Sequence, residues 1–173
     1  MTNRVNLPSA SNGTQLRNKA FWNDSRSPDD ADFFTFGYSG RSTADILDAL
    51  KAANVSTVVD IRFSPVSMYK PDFSKSRLRR IVESHGLSYL HLRWLGVPRE
   101  IRAHAAKAAD LAIIWHWYDT EVIPRFLGRN LHSFFNLAEH PLALMCVEID
   151  PETCHRHRLF QALEDRGLVG FEL

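Results

Sequence analysis

The chain has 173 residues, 45% of them hydrophobic, and its 21 basic and 20 acidic side chains leave a net charge of +1. That size and apolar share suit one domain with an ordinary core, and the near-zero charge points to no highly charged partner. No apolar run approaches the ~20 residues a membrane-spanning helix needs, so a membrane partner is not expected.

The start, Met-Thr-Asn-Arg-Val-Asn-Leu-Pro-Ser, lacks the apolar core of a signal peptide. Two cysteines are too few for a disulfide framework, so reduced thiols and a cytoplasmic location are expected. Residues 1–30 carry Asn, Ser, Arg and Asp without apolar periodicity and read as a flexible leader, with Phe21-Trp22 as its one apolar island.

The rhythm changes at Asp32, and residues 31–173 read as one domain. Phe33 to Tyr38 is a first strand. Thr43 to Ala53 places Ile46, Leu47 and Leu50 on one helical face behind Ser42, a residue suited to cap a helix N-terminus. Thr57 to Ile61 is nearly all apolar, as a strand covered on both faces requires. Ser74 is placed to cap a helix whose Leu78, Ile81 and Val82 face inward, until His85-Gly86 stops it. Leu87 to Leu92 is a third strand. Residues 99–139 read as a helical insertion interrupted at Pro124 and near Gly128. Ala143 to Val147 is a fourth strand, Cys154 to Arg166 a helix, and Val169 to Leu173 a last strand. Strands alternating with helices predict an α/β fold: a mostly parallel sheet of about five strands, with helices on both faces and a helical insertion after the third strand.

In such a sheet ligands bind beyond the carboxyl ends of the strands. Gly37-Tyr38-Ser39 and Arg41 follow the first strand, and Asp60 and Arg62 end the second. His91 ends the third, and Cys146 and Glu148 end the fourth, with Cys154-His155-Arg156 close behind. These groups are expected to share one pocket. Cys154 at a helix start would have its thiolate favoured by free N–H groups and the helix dipole, with His155 and Arg156 adding to the effect. It reads as a nucleophile or redox thiol, or else as an inert capping-region thiol. Cys146 is a small buried hydrophobe, a pocket wall or a resolving thiol for Cys154. Glu148 lies two positions beyond Cys146, on the same side of an extended chain, and suits acid–base work or pairing with an arginine. Asp60 suits pairing or a ligand hydroxyl. Arg41, Arg62 and Arg156 suit a phosphate, sulfate or carboxylate.

Cys146, Cys154, His155 and His157 also offer metal-ligand chemistry, but there is no Cys-x-x-Cys and adjacent residues rarely reach one ion, so no metal or cofactor is expected. Trp94, Trp115, Trp117 and Phe126 read as core and pocket walls. Arg99, Arg102, Lys107, Arg125 and Arg129 could form a modest basic face for nucleic acid.

The order of these pieces resembles domain-of-unknown-function family 488. The matching segments are Gly37-Tyr38-Ser39 with Arg41, Asp60-Ile61-Arg62, Pro71-Asp72-Phe73-Ser74, Tyr89-Leu90-His91-Leu92 with Leu95-Gly96, Cys146-Val147-Glu148 and Cys154-His155-Arg156. The resemblance covers roughly residues 32–173 and implies an α/β fold with one shared pocket; it implies no activity. Val97-Pro98-Arg99 follows where the family pattern has a second glycine. The reading that results is a small enzyme, a thiol-dependent hydrolase or transferase, acting on an anionic and for instance nucleotide-derived substrate. Its catalytic residues are Cys154, His155, Glu148 and Cys146, and its substrate-binding residues are Gly37, Tyr38, Ser39, Arg41, Asp60, Arg62, His91 and Arg156. The alternatives are a nucleotide or anion sensor without turnover and a nucleic-acid-binding module.

Overall fold

The computed structural model of the chain describes residues 27–173. The leader residues 1–26, with Phe21-Trp22, lie outside the described part; Ser27 caps a short 3-10 turn at Pro28–Asp30. Five strands follow: β1 Phe33–Gly37, β2 Thr57–Asp60, β3 Ser88–His91, β4 Leu142–Cys146 and β5 Gly170–Glu172. They form one sheet in the order β3-β2-β4-β1-β5, and every pairing is parallel.

The first helix, α1 (Thr43–Ala52), starts where the sequence places it. Ser42 accepts from the Asp45 N–H at 3.1 Å, and Asp45 accepts from the Ser42 N–H at 2.9 Å, closing a reciprocal capping box. Helix α2 (Lys75–Ser84) follows Ser74, yet the Ser74 hydroxyl accepts from the Ser67 N–H at 3.1 Å and holds the preceding loop instead of the helix end. Gly86, at φ +80°, ends α2 in the left-handed conformation that suits glycine.

Between β3 and β4 the chain forms α3 (Arg99–Ala108), α4 (Ala112–Trp117), α5 (Ile123–Arg125) and α6 (Leu131–Leu137). The interruptions expected at Pro124 and Gly128 are not breaks. From α4 to α6 the helix continues, widened into π-helical turns at Tyr118–Val122 and Phe126–Asn130. A π turn absorbs the N–H that Pro124 lacks without ending the helix. After β4 comes a 3-10 turn at Pro151–Thr153 and then α7 (Arg156–Glu164).

Side chains alternate across the sheet with period two. Phe34, Phe36, Val58, Ala143 and Met145 pack with Ile46, Leu50, Leu78 and Val82 of α1 and α2. Phe33, Val59, Leu142, Leu144 and Cys146 pack on the opposite face, with residues of α3 to α7 such as Tyr118, Phe126, Leu159 and Leu163. Each large apolar side chain so covered contributes about 1.5–3 kcal/mol. The connections leaving β1 and β2 therefore run over one face and that leaving β4 over the other. Because β4 lies between β2 and β1, its carboxyl end is a topological switch point, where open α/β sheets form crevices. Among the described residues no helix is long and apolar enough to cross a membrane.

Candidate active site

Cys146 is the last residue of β4 and points, with Leu142 and Leu144, into the layer of α3 to α7. Glu148 lies on its side of the chain, and the Cys146 thiol donates to Glu148 Oε2 at 3.3 Å. Asp150 then accepts from the Glu152 N–H at 2.9 Å and starts the turn that carries the chain to Cys154.

Cys154 and His155 are neighbours whose backbones differ sharply. Cys154 is extended (φ −120°, ψ 141°) and His155 is helical (φ −61°, ψ −16°). That change of direction lets two adjacent side chains face one point. His155 Nδ1 lies 3.7 Å from Cys146 Sγ and 3.9 Å from Cys154 Sγ, and the three atoms all fall within 4.8 Å of one another. His155 Nε2 faces the Ile61 carbonyl oxygen at 3.4 Å. A carbonyl only accepts, so Nε2 is the donor in this contact, and Nδ1 is the ring nitrogen that faces the sulfurs. The Arg156 N–H at the start of α7 reaches Cys154 Sγ at 3.5 Å.

The two thiols differ electrostatically. Burial pushes Cys154 up, but hydrogen bonds from Cys146 and His155 outweigh it and bring its pKa down to about 5. Burial, followed by hydrogen bonding and charge repulsion from Cys154, holds Cys146 well above the ordinary thiol value. Burial raises the Glu148 carboxyl as well, but its own backbone N–H, the Cys154 and Cys146 sulfurs and Arg102 leave it below the usual range.

A cleft of about 340 Å³ opens onto this group; Glu148, Thr153 and His155 line it on one side and Arg102, Ile114 and Trp115 on the other. Arg102 Nη1 stands 3.5 Å from Glu148 Oε1, and 39% of its side chain is exposed. The thiols themselves are buried, at 0% and 1% exposure, so the route from the cleft to the sulfurs passes His155 and Glu148. Fully buried Tyr118 closes the back; its ring lies 5.2 Å from that of His155 and its hydroxyl donates to the Leu95 carbonyl at 2.8 Å.

The other sequence-designated residues fall elsewhere. Asp60 accepts from Arg62 Nη2 at 2.6 Å, from Arg62 Nε at 2.8 Å and from the Tyr89 hydroxyl at 2.5 Å. Arg62 also donates to the Tyr38 hydroxyl at 3.2 Å. Tyr38, stacked on Phe73, and Tyr89 belong to the α1–α2 face, so this network lies across the sheet from Cys146. Burial lowers the Arg62 pKa, but its bonds to Asp60 more than offset this and leave it raised. His91 Nε2 contacts the Arg62 carbonyl at 2.9 Å, and the Ser39 N–H donates to the Val147 carbonyl at 2.9 Å. Gly37 packs on the Glu148 carbonyl. Arg41 donates to the Leu173 carbonyl at 3.0 Å, and fully buried Arg156 pairs with Glu172 and the carbonyls of Glu148 and Ile149. The three arginines expected to converge on an anion are thus separated, each with an intramolecular partner.

The guanidinium at the cleft is instead Arg102, which the sequence places only within a basic face. Of that face, Arg125 pairs with Glu121 at 2.7 Å, and Arg129 is described by its backbone alone. Tyr118 carries no motif that marks it. Trp115 is a wall of the cleft and Phe126 is core; Trp94 and Trp117 line a separate cavity of about 390 Å³ with Phe63 and Glu121.

The chain is thus an α/β protein with a wholly parallel sheet and a thiol–imidazole–carboxylate group at its switch point. The chain belongs to the family described as domain of unknown function DUF488, whose profile matches residues 42–163. No match to the chain was found among curated proteins or among solved structures.

Proposed function

We propose that the chain is a small enzyme whose reaction centre is the Cys146–Cys154–His155 group and whose substrate carries an anionic group received by Arg102. The observation that carries this reading is the way the cleft meets the cluster: Arg102, Glu148 and His155 line one cavity, and His155 in turn touches both sulfurs. Cys154 acts as its thiolate, the form that attacks an electrophile and also the form that binds a metal. Glu148 and His155, which lie between sulfur and cleft, carry protons. Among the described residues Arg102 is the cleft's one guanidinium, beside an apolar wall of Ile114 and Trp115 and the carboxylates of Glu148 and Asp110; phosphate esters and nucleotides offer it an anionic group together with hydroxyls for those carboxylates. The free thiol pair suits a reducing compartment such as the cytoplasm.

The burial of both sulfurs favours a second reading, an anion sensor without turnover. Hydrolysis or transfer assays over a panel of phosphate esters and nucleotides separate the two. The enzyme reading expects turnover that Cys154→Ser abolishes and that Arg102→Ala weakens mainly through KM. Binding without turnover, unchanged in Cys154→Ser, would leave the sensor.

A further inference from the structure

We infer that Cys146, Cys154 and His155 form a binding site for a thiolate-seeking divalent cation of the zinc class. This deepens the proposed function, because it rests on reading the same group as the reaction centre and names what that centre holds.

The distances carry the inference. A zinc ion bonds sulfur at about 2.3 Å and imidazole nitrogen at about 2.0–2.1 Å, so a tetrahedral site sets its sulfur and nitrogen ligands about 3.6 Å apart. The two sulfur–nitrogen separations here are 3.7 and 3.9 Å, and all three ligand atoms lie within 4.8 Å of one another. Both sulfur–nitrogen separations are within a few tenths of an ångström of that spacing, so side-chain adjustment brings the three ligands onto one ion. The obstacle in the sequence, that residues 154 and 155 are adjacent, is removed by the extended-to-helical turn between them.

The surroundings are built as a metal's are. The Ile61 carbonyl stands 3.4 Å from Nε2, and ligating histidines are commonly oriented by such a bond on the nitrogen that does not ligate. The Arg156 N–H supports Cys154 Sγ at 3.5 Å. All three ligand residues are buried, at 0%, 1% and 3% exposure, so water does not compete for them. Glu148 Oε2, 3.3 Å from Cys146 Sγ and facing the cleft, is placed to take the fourth position or to serve a water bound there. Three protein ligands with the fourth position toward a cleft is the arrangement of catalytic rather than structural zinc. Two thiolates and one imidazole select zinc over magnesium or calcium, which prefer oxygen.

The test uses the full, untagged chain, reduced and stripped with chelator, then titrated with zinc and, separately, with cobalt(II) as a spectroscopic probe. The inference expects one equivalent of either metal per chain and, for cobalt, a sulfur-to-metal charge-transfer band with tetrahedral visible bands. It expects both thiols to be alkylated more slowly in the zinc form than in the metal-free chain, and Cys146→Ser and His155→Ala to weaken binding at least 100-fold. Because those variants remove buried groups and could fail to fold, the wild-type cobalt spectrum and thiol protection stand as the primary readouts. Folded wild-type chain, judged by circular dichroism, that shows no charge-transfer band and alkylates both thiols at the same rate with excess zinc as without it would overturn the inference. The two proposals fail differently: stoichiometric metal without turnover removes the enzyme and keeps the site, whereas turnover by a chain that binds neither zinc nor cobalt removes the site and keeps the enzyme.

Discussion

Arg156 and Glu172 form an ion pair, Nη2 to Oε1 at 2.5 Å, with the arginine fully buried. Thr35 of β1 also donates to Glu172, and Arg156 reaches the carbonyls of Glu148 and Ile149. The pair thereby fastens the last strand to the connection that follows β4, and it accounts for an arginine that the sequence alone offers as an anion ligand. Arg156→Met leaves a partly buried carboxylate and two carbonyls without their donor. It is expected to lower stability by about 3 kcal/mol, read from urea unfolding. An unchanged midpoint would mean that Arg156 does not carry this structural role.

Gly37 and Glu148 meet at the switch point without room for a side chain: a Cβ on Gly37 would lie 1.7 Å from the Glu148 carbonyl oxygen. Gly37→Ala therefore has to push the carboxyl ends of β1 and β4 apart. A loss of about 3 kcal/mol or more is expected, together with a weaker Glu148–Arg102 contact and lower anion affinity at the cleft. Wild-type melting temperature and wild-type affinity in this variant would contradict the packing.

The two polar groups on opposite faces of the sheet predict separable phenotypes. Asp60→Asn removes the carboxylate that neutralises Arg62, a pair with side chains 0% and 3% exposed, and should cost about 3 kcal/mol of stability. Its affinity for phosphate or a nucleotide, measured on the folded fraction, should stay within about twofold because the exchanged side-chain network lies on the opposite face of the sheet from the cleft and, among the described residues, shares no partner with Arg102. Arg102→Ala should do the opposite: stability within about 0.5 kcal/mol, since its ion pair is half exposed, and anion affinity reduced roughly tenfold for the loss of one charged hydrogen bond. Calorimetric titration with pyrophosphate and thermal melts of both variants check the pattern. Loss of anion affinity in Asp60→Asn alone would move the binding site across the sheet.

Tyr118→Phe leaves the buried Leu95 carbonyl without its 2.8 Å donor and should destabilise the chain by about 1–2 kcal/mol. Because the ring stays beside His155, turnover should fall by less than about threefold, given that the hydroxyl bonds away from the sulfurs. A far larger loss of turnover at unchanged stability would make the Tyr118 hydroxyl part of the reaction centre.

All five strands, the Ser42 cap, the Gly86 stop and the placing of Glu148 on Cys146's side of the chain follow from local residue patterns, and local patterns are what a sequence displays. The division of the polar groups into two clusters does not. Whether Asp60 and Cys146 share a face depends on the register, which pairs Asp60 with Met145 and so sets it opposite to Cys146. That register comes from packing across the whole sheet. Arg102 was equally hidden: its helix is separated from β4 by more than thirty residues of insertion, and only the tertiary arrangement brings it to Glu148. Cys154 and His155 reach one point because their backbone conformations differ, which the adjacency of the two letters conceals. Ser74 stands at the expected cap position but serves the Ser67 loop, a case of a side chain with two local partners to choose from.

The most direct test of the central claim is a crystal structure of the chain soaked in a mixture of phosphate esters and nucleotides. The account predicts an anion within hydrogen-bond distance of Arg102, in the cleft that opens onto Glu148 and His155, with Arg41, Arg62 and Arg156 still on their intramolecular partners. An anion bound instead on the Asp60–Arg62 face, or an empty cleft with Arg102 turned to solvent at saturating ligand, would contradict it.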